Sequence, residues 1–176
     1  NFTDIDDKIL KRAEDEFQDS SRFMEITNRY IKAFNRDMQS LNCLPPTYEP
    51  LVTQTIPQII NFIQGLIKNG AAYKTEDGIY FDISKFKGYG QLSKLKVKEL
   101  KTGTRIRTDL YTKDEVQDFV LWKFWDREDG DVFWDTEIGK GRPGWHIECS
   151  AMSMKYLGKA FDLHTGGIDL MFPHHE

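Results

Sequence analysis

Cysteine is scarce in this 176-residue chain: Cys43 and Cys149 are the only two. Two cysteines cannot build a disulfide framework, so thiol or metal chemistry in a reducing compartment is the expected use, with the cytoplasm as the default location. No run approaches the roughly 18 apolar residues of a membrane helix, and the acidic opening NFTDIDDKIL is unlike a signal peptide, so neither insertion nor export is expected. Internal repeats, low-complexity segments, a G-x-S-x-G nucleophile elbow and a Walker loop are all missing, which removes repeat scaffolds, serine hydrolases of that kind and P-loop enzymes. Apolar bulk, by contrast, is plentiful. Hydrophobic residues make up 39% and aromatics 13%, with 12 Phe, 7 Tyr and 4 Trp, enough to exclude disorder. At about 150 residues per domain, the length suits one domain or a domain plus a lobe. Asn1 at one end and FPHHE at the other resemble neither a natural start nor a polar tail, so the chain is expected to be part of a longer protein.

The net charge of -4 argues against a general nucleic-acid binder. It conceals a segment of opposite sign. Between Lys85 and Arg107 lie Lys85, Lys87, Lys94, Lys96, Lys98, Lys101, Arg105 and Arg107 against Glu99 alone, so one local surface is strongly basic.

Local signals predict the element order. Asp6 or Asp7 is placed to cap a helix beginning at Lys8, after a strand end over residues 1–5. A helix from Ser21 to Asn42 carries Phe23, Ile26, Tyr30, Phe34, Met38 and Leu41 on one face and stops at Pro45-Pro46. A third, from Thr55 to Asn69, has Pro57 in its first turn, buries Ile59, Ile60, Ile63, Leu66 and Ile67, and ends at Gly70. Residues 72–83 read as a hairpin around Glu76-Asp77-Gly78, residues 84–118 as loops, and Asp118–Trp125 as a buried strand. Pro143 suits the first turn of a helix from Gly144 to Leu157 closed by Gly158, followed by a short strand Ala160–His164. Ligands of open α/β sheets collect beyond such strand ends, which draws attention to His164-Thr165-Gly166-Gly167.

Several patterns invite a chemical reading. Gly139, Gly141 and Gly144 satisfy G-x-G-x-x-G, but the half-polar WDTEI before them is no buried strand and Pro143 removes an amide that a phosphate would need. Asp4, Asp6 and Asp7 form an acidic cluster that helix capping explains more simply than magnesium. Cys43 follows an apolar helix face and reads as a small core residue. Cys149 lies four residues after Trp145 and so shares its helix face. With His164, His174, His175 and Glu176 downstream, thiolate, imidazole and carboxylate are available for one ion, a set that suits zinc. A buried free cysteine beside capping or surface histidines is the alternative at this point.

Four blocks taken together, NFTDIDDKI at 1–9, DFVLWK at 118–123, GRPGWHIECSAM at 141–152 and FDLHTGGIDLMFPHHE at 161–176, resemble the cysteinyl-tRNA synthetases. RDMQSLNCLPP at 36–46 and YGQLS with LKTGTRI within 89–106 are similar to the intervening family pattern, so the resemblance covers essentially the whole chain. It implies an α/β fold: part of a class I Rossmann-type catalytic domain, interrupted by a connective-peptide insertion with helices and a small antiparallel β element. Residues 1–45 would end the first half, 46–140 form the insertion and 141–176 begin the second half.

The resemblance further implies an aminoacyl-tRNA ligase that activates L-cysteine with ATP and magnesium and transfers it to tRNA(Cys). Zinc would recognise the substrate thiolate, with Cys149 and His174 matching two of four ligand positions. Thr3, Trp145 and His164 match positions lining the cysteine pocket, and Gly166, Gly167 and Asp169 match the loop that packs against the adenosine of ATP. The HIGH-type motif, one zinc cysteine, the last zinc glutamate and the KMSKS motif have no counterpart in this sequence, so the chain alone is expected to be inactive, with half the metal site. Where the family usually has SPWG, this sequence has DTEIGK. Lys94, Lys96, Lys98 and Lys101 are expected to face acceptor-stem phosphates, and a monomer is the default expectation. Two other readings share these residues: the cysteine ligase of mycothiol biosynthesis, which joins cysteine to an amino-sugar, and a non-catalytic module that holds RNA or protein.

Overall fold

The computed structural model describes residues 1–92, 105–106 and 118–176. Its first element is the extended segment 1–5, which is pinned rather than paired into a sheet. The Phe2 amide donates to the Pro50 carbonyl at 2.9 Å, and the Val52 amide to the Phe2 carbonyl at 3.3 Å. Asp4 is fully buried, and its carboxylate accepts from the Thr53 amide at 3.0 Å and the Thr53 hydroxyl at 2.6 Å. A buried carboxylate with such donors is satisfied without a metal.

Asp6 is the N-cap of α1 (Asp7–Phe17), its side chain accepting from the Ile9 amide at 2.7 Å. Of the three N-terminal aspartates, only Asp6 caps; Asp4 braces the 51–55 turn and Asp7 pairs with Arg142 and Lys123. A short 3-10 turn leads into α2 (Phe23–Ser40), and after residues 41–55 comes α3 (Ile56–Lys68), with Pro57 in its first turn. Ile56, Ile59, Ile60 and Ile63 of α3 are buried, as their spacing requires of an apolar stripe, whereas Leu66 is half-buried and Ile67, expected in the core, is exposed because it lies in the last turn of the helix. Gly70, at φ 72°, supplies the left-handed turn that ends the helix.

Strands β1 (Ala72–Lys74) and β2 (Gly78–Phe81) form the hairpin, with Tyr73 opposite Tyr80. β3 (Arg105–Ile106), β4 (Asp118–Phe124) and β5 (Gly141–Pro143) complete a five-stranded sheet ordered β1-β2-β4-β3, with β5 also on β4. β4 is the spine. It runs antiparallel to β2 and β5 and parallel to β3, so the sheet is mixed rather than wholly antiparallel. Val120, Leu121 and Trp122 of β4 are buried. Helix α4 (Trp145–Leu157) packs on α3 and β4. A 3-10 turn at Ile168–Leu170 and the short α5 (Met171–His174) follow. One core joins Ile5, Val52, Ile59, Trp122 and Ile147, so residues from all three sequence regions share a single interior.

Four local expectations are corrected. Pro143 closes β5 instead of opening α4; proline is tolerated at such a short edge position. Residues 160–164 form no strand, because a strand needs a ladder partner for its backbone and no described segment pairs with them. Cys43 is exposed rather than core, since α2 ends at Ser40 and the chain then turns away through Asn42 at φ 57°. The apolar face of α2 is buried only at its start: Ile26 is covered, whereas Tyr30, Phe34 and Leu41 are exposed.

The glycines of the G-x-G-x-x-G pattern also find a packing role. A Cβ at Gly141 would collide with the Lys123 carbonyl, and one at Gly144 with the Val120 carbonyl. They let β5 and the start of α4 lie directly on β4, which is backbone approach to a strand and not to a phosphate.

Candidate functional site

The site gathers where the N-terminal segment, the start of α4 and the C-terminal residues meet. Pinning of residues 2 and 4 by the 50–53 turn holds Thr3 against the first turns of α4. Its hydroxyl accepts from the Trp145 indole Nε1 at 3.1 Å and donates to Glu148 Oε2 at 3.1 Å. Trp145 and Cys149, one helical turn apart, lie on the same side of α4 as the spacing predicts. The Asn1 side-chain amide donates to Cys149 Sγ at 3.4 Å.

From Trp145 a row of rings leads to the C-terminal residues. Trp145 and His146 lie 5.1 Å apart by ring centroid, His146 and His174 5.7 Å, and His174 and His164 5.1 Å. A concavity of about 230 Å³ is lined by Cys149, His164, His174, His175 and Glu176 among others. His164 is thus brought to the site by a loop, not by a strand end. Gly166, Gly167 and Asp169 lie on the exposed loop beyond it. A Cβ at Gly166 would sit 2.8 Å from His175 Nε2, so the bare backbone there lets the loop close against that imidazole. Lys94, Lys96, Lys98 and Lys101 lie outside the described residues.

Burial dominates the electrostatics. It pushes the Cys149 thiol up, partly countered by the Asn1 hydrogen bond and reinforced by the neighbouring Glu148 charge. Cys149 therefore holds its proton at neutral pH until a cation displaces it. Burial, with His164 and His175 adding repulsion, lowers His174. Burial and the nearby His174 drive His146 down to about 3. These two imidazoles are neutral at pH 7, the form that ligates metals. Among the described residues, no three His, Cys, Asp or Glu side chains converge in a metal-holding group. The donor chemistry nonetheless suits zinc: a thiol and several imidazoles share the concavity, and the His175 Nε2 atom is buried with no hydrogen-bond partner.

A pH dependence follows from His146. Unfolded, it takes a proton near 6.5; folded, it takes one only near 3. Between those values the unfolded state binds more protons, so stability falls as pH drops through the window, by roughly 1.4 kcal/mol per unit. Urea unfolding from pH 7 to pH 4 should show that slope, and His146→Phe should flatten it.

Sequence reasoning passed over Glu148, His146 and Arg142, all buried in the structure. Helical spacing places Glu148 three residues after Trp145, but nothing in a linear pattern marks a glutamate as buried.

The fold is thus a mixed α/β unit whose helix start presents an indole and a thiol beside clustered imidazoles. The family model described as tRNA synthetases class I (C) catalytic domain matches residues 1–176. The chain belongs to that family. It is 52% identical over 176 residues to a "Cysteine--tRNA ligase" of Methanococcus maripaludis, 50% to one of Pyrococcus abyssi, and 48% to a chloroplastic/mitochondrial one of Arabidopsis thaliana. Each match takes in all of this chain but only 36%, 36% and 30% of the respective relative. The chain thus spans about a third of the length of the curated relatives it matches.

Proposed function

We propose that the chain is the central portion of a cysteine–tRNA ligase, which activates L-cysteine with ATP and magnesium and passes it to tRNA(Cys). The observation that carries this reading is the Trp145–Thr3 hydrogen bond, because it joins residues 142 positions apart on the face of α4 that also carries Cys149, whose thiol lines the neighbouring concavity. Thr3, Trp145 and His164 bound the amino acid, while Gly166, Gly167 and Asp169 border ATP. Cys149 and His174 hold zinc, with His175 and Glu176 within the same concavity. Zinc, when bound, supplies a soft Lewis acid for the substrate sulfur. A zinc–sulfur bond has no equal for serine's hydroxyl, so discrimination rests on the first binding step. Lys94, Lys96, Lys98 and Lys101 supply non-specific phosphate contacts to tRNA.

The test is cysteine-dependent ATP–pyrophosphate exchange by the full-length protein, together with elemental analysis. Exchange with cysteine, negligible exchange with serine and one zinc per chain are expected. Formation of a cysteinyl amino-sugar without aminoacylation of tRNA would point instead to the mycothiol-type ligase. Changing the four lysines to glutamine should weaken tRNA binding and reduce its log-log salt slope by roughly 0.7–0.9 for each phosphate no longer neutralised; an unaltered slope would remove those residues from the interface.

A further inference from the structure

We propose that Glu148 is a positioning residue of the amino-acid pocket, which aims the Thr3 hydroxyl and, through it, holds the Trp145 indole in place. This role rests on the cysteine-pocket reading above and belongs to a side chain to which that reading gives no part.

Proton counting fixes the direction of the hydrogen bonds. An indole Nε1 is a donor only, so at the 3.1 Å Trp145–Thr3 contact the threonine oxygen must accept. A threonine hydroxyl has a single proton, and a carboxylate accepts only, so at the 3.1 Å Thr3–Glu148 contact that proton points to Glu148 Oε2. With Glu148 as carboxylate, the order runs in one direction, from Trp145 to Thr3 to Glu148. Thr3 is left with a lone pair, and no proton, for anything that enters the pocket. A donor such as an ammonium group matches it; an acceptor there would meet repulsion.

Burial makes the arrangement stiff. Glu148 is only 1% exposed, and a buried charge-assisted hydrogen bond is worth more than a neutral one. The carboxylate also lies in the first turn of α4, where the helix dipole favours negative charge and offsets part of the cost of burial. Trp145 and Glu148 project from adjacent turns of the same helix, while Thr3 reaches them from the N-terminal segment fixed by Asp4 and Thr53. The carboxylate thus converts a flexible hydroxyl rotor into an oriented acceptor, and an oriented acceptor fixes the plane of the indole wall.

The experiment uses the full-length protein and the exchange assay, with cysteine and ATP varied separately. Glu148→Gln keeps the shape but supplies an amide that can donate as well as accept, so Thr3 loses its enforced direction. The KM for cysteine should rise about tenfold with the KM for ATP unmoved, and Glu148→Gln should add nothing further in a Thr3→Val background, because both act on one hydrogen-bond chain. Thr3→Ser, which keeps the hydroxyl, should raise the KM for cysteine less than Thr3→Val does. If Glu148→Gln fails to fold, Glu148→Asp withdraws the carboxylate from Thr3 while keeping the charge, and the same KM rise is expected. A wild-type cysteine KM in the Glu148 variant, or additive effects with Thr3→Val, would overturn the proposal while leaving the pocket intact. Unchanged cysteine KM in both Thr3→Val and Trp145→Ala would instead remove the pocket reading itself, and Glu148's role with it.

Discussion

Cys149→Ser in the full-length protein is expected to lower kcat/KM for cysteine activation by about 100-fold or more and to compress the preference for cysteine over serine. The sulfur is the soft donor of the concavity shared with His164, His174, His175 and Glu176, and serine is a poor replacement at a zinc site. Because burial holds the free thiol protonated, zinc binding should also release a proton in the wild type, visible as a buffer-dependent heat in titration calorimetry. The serine variant should lose both the bound zinc and that proton release. Retention of one zinc per chain with unaltered serine discrimination would exclude Cys149 as a ligand.

The second large effect concerns stability. Asp129→Ala is expected to cost about 3–5 kcal/mol, the usual consequence of stranding buried charge. Asp129 sits between two cations: Lys123 Nζ lies 2.7 Å and Arg142 Nη2 3.5 Å from its Oδ1, and all three side chains are largely buried. Its other oxygen accepts from the Asp126 amide at 3.1 Å. Removing it leaves two adjacent cations sharing Asp7, which is half-exposed and cannot neutralise both. Asp129→Asn preserves an acceptor for the amide and should fall between wild type and alanine. Urea midpoints at unchanged slope report the difference; a destabilisation below about 1 kcal/mol for alanine would mean that water reaches these cations. The network ties β4, β5 and the start of α1 together, so the variant should also loosen the segment that presents Thr3.

Much of this architecture is legible residue by residue. Asp6 as a cap, Pro57 and Gly70 as the limits of α3, the hairpin before Gly78, the apolar β4 and the α4 pairing of Trp145 with Cys149 are local, governed by capping geometry, φ restrictions and the periods of helix and strand. Where the pattern misleads, partners far along the chain decide. Pro143 has the chemistry of a helix start, yet β4 offers a ladder to Gly141–Pro143. Residues 160–164 have the composition of a strand and no described neighbour to pair with. The apolar stripe of α2 is real, but a stripe is buried only as far as another element lies on it.

The sequence by itself determined the element types, the family blocks and which side chains were chemically able to form a site, since these depend on nearest neighbours and residue chemistry. Only the tertiary structure decided that the Asp4 carboxylate is satisfied by Thr53, that Arg142 and Asp129 are buried partners, and that Glu148 directs the Thr3 hydroxyl beside Trp145. Each of these rests on a hydrogen bond or ion pair between residues distant in the chain, and its worth depends on exclusion of water. That burial is produced by the folded core as a whole and has no local signature in the order of residues.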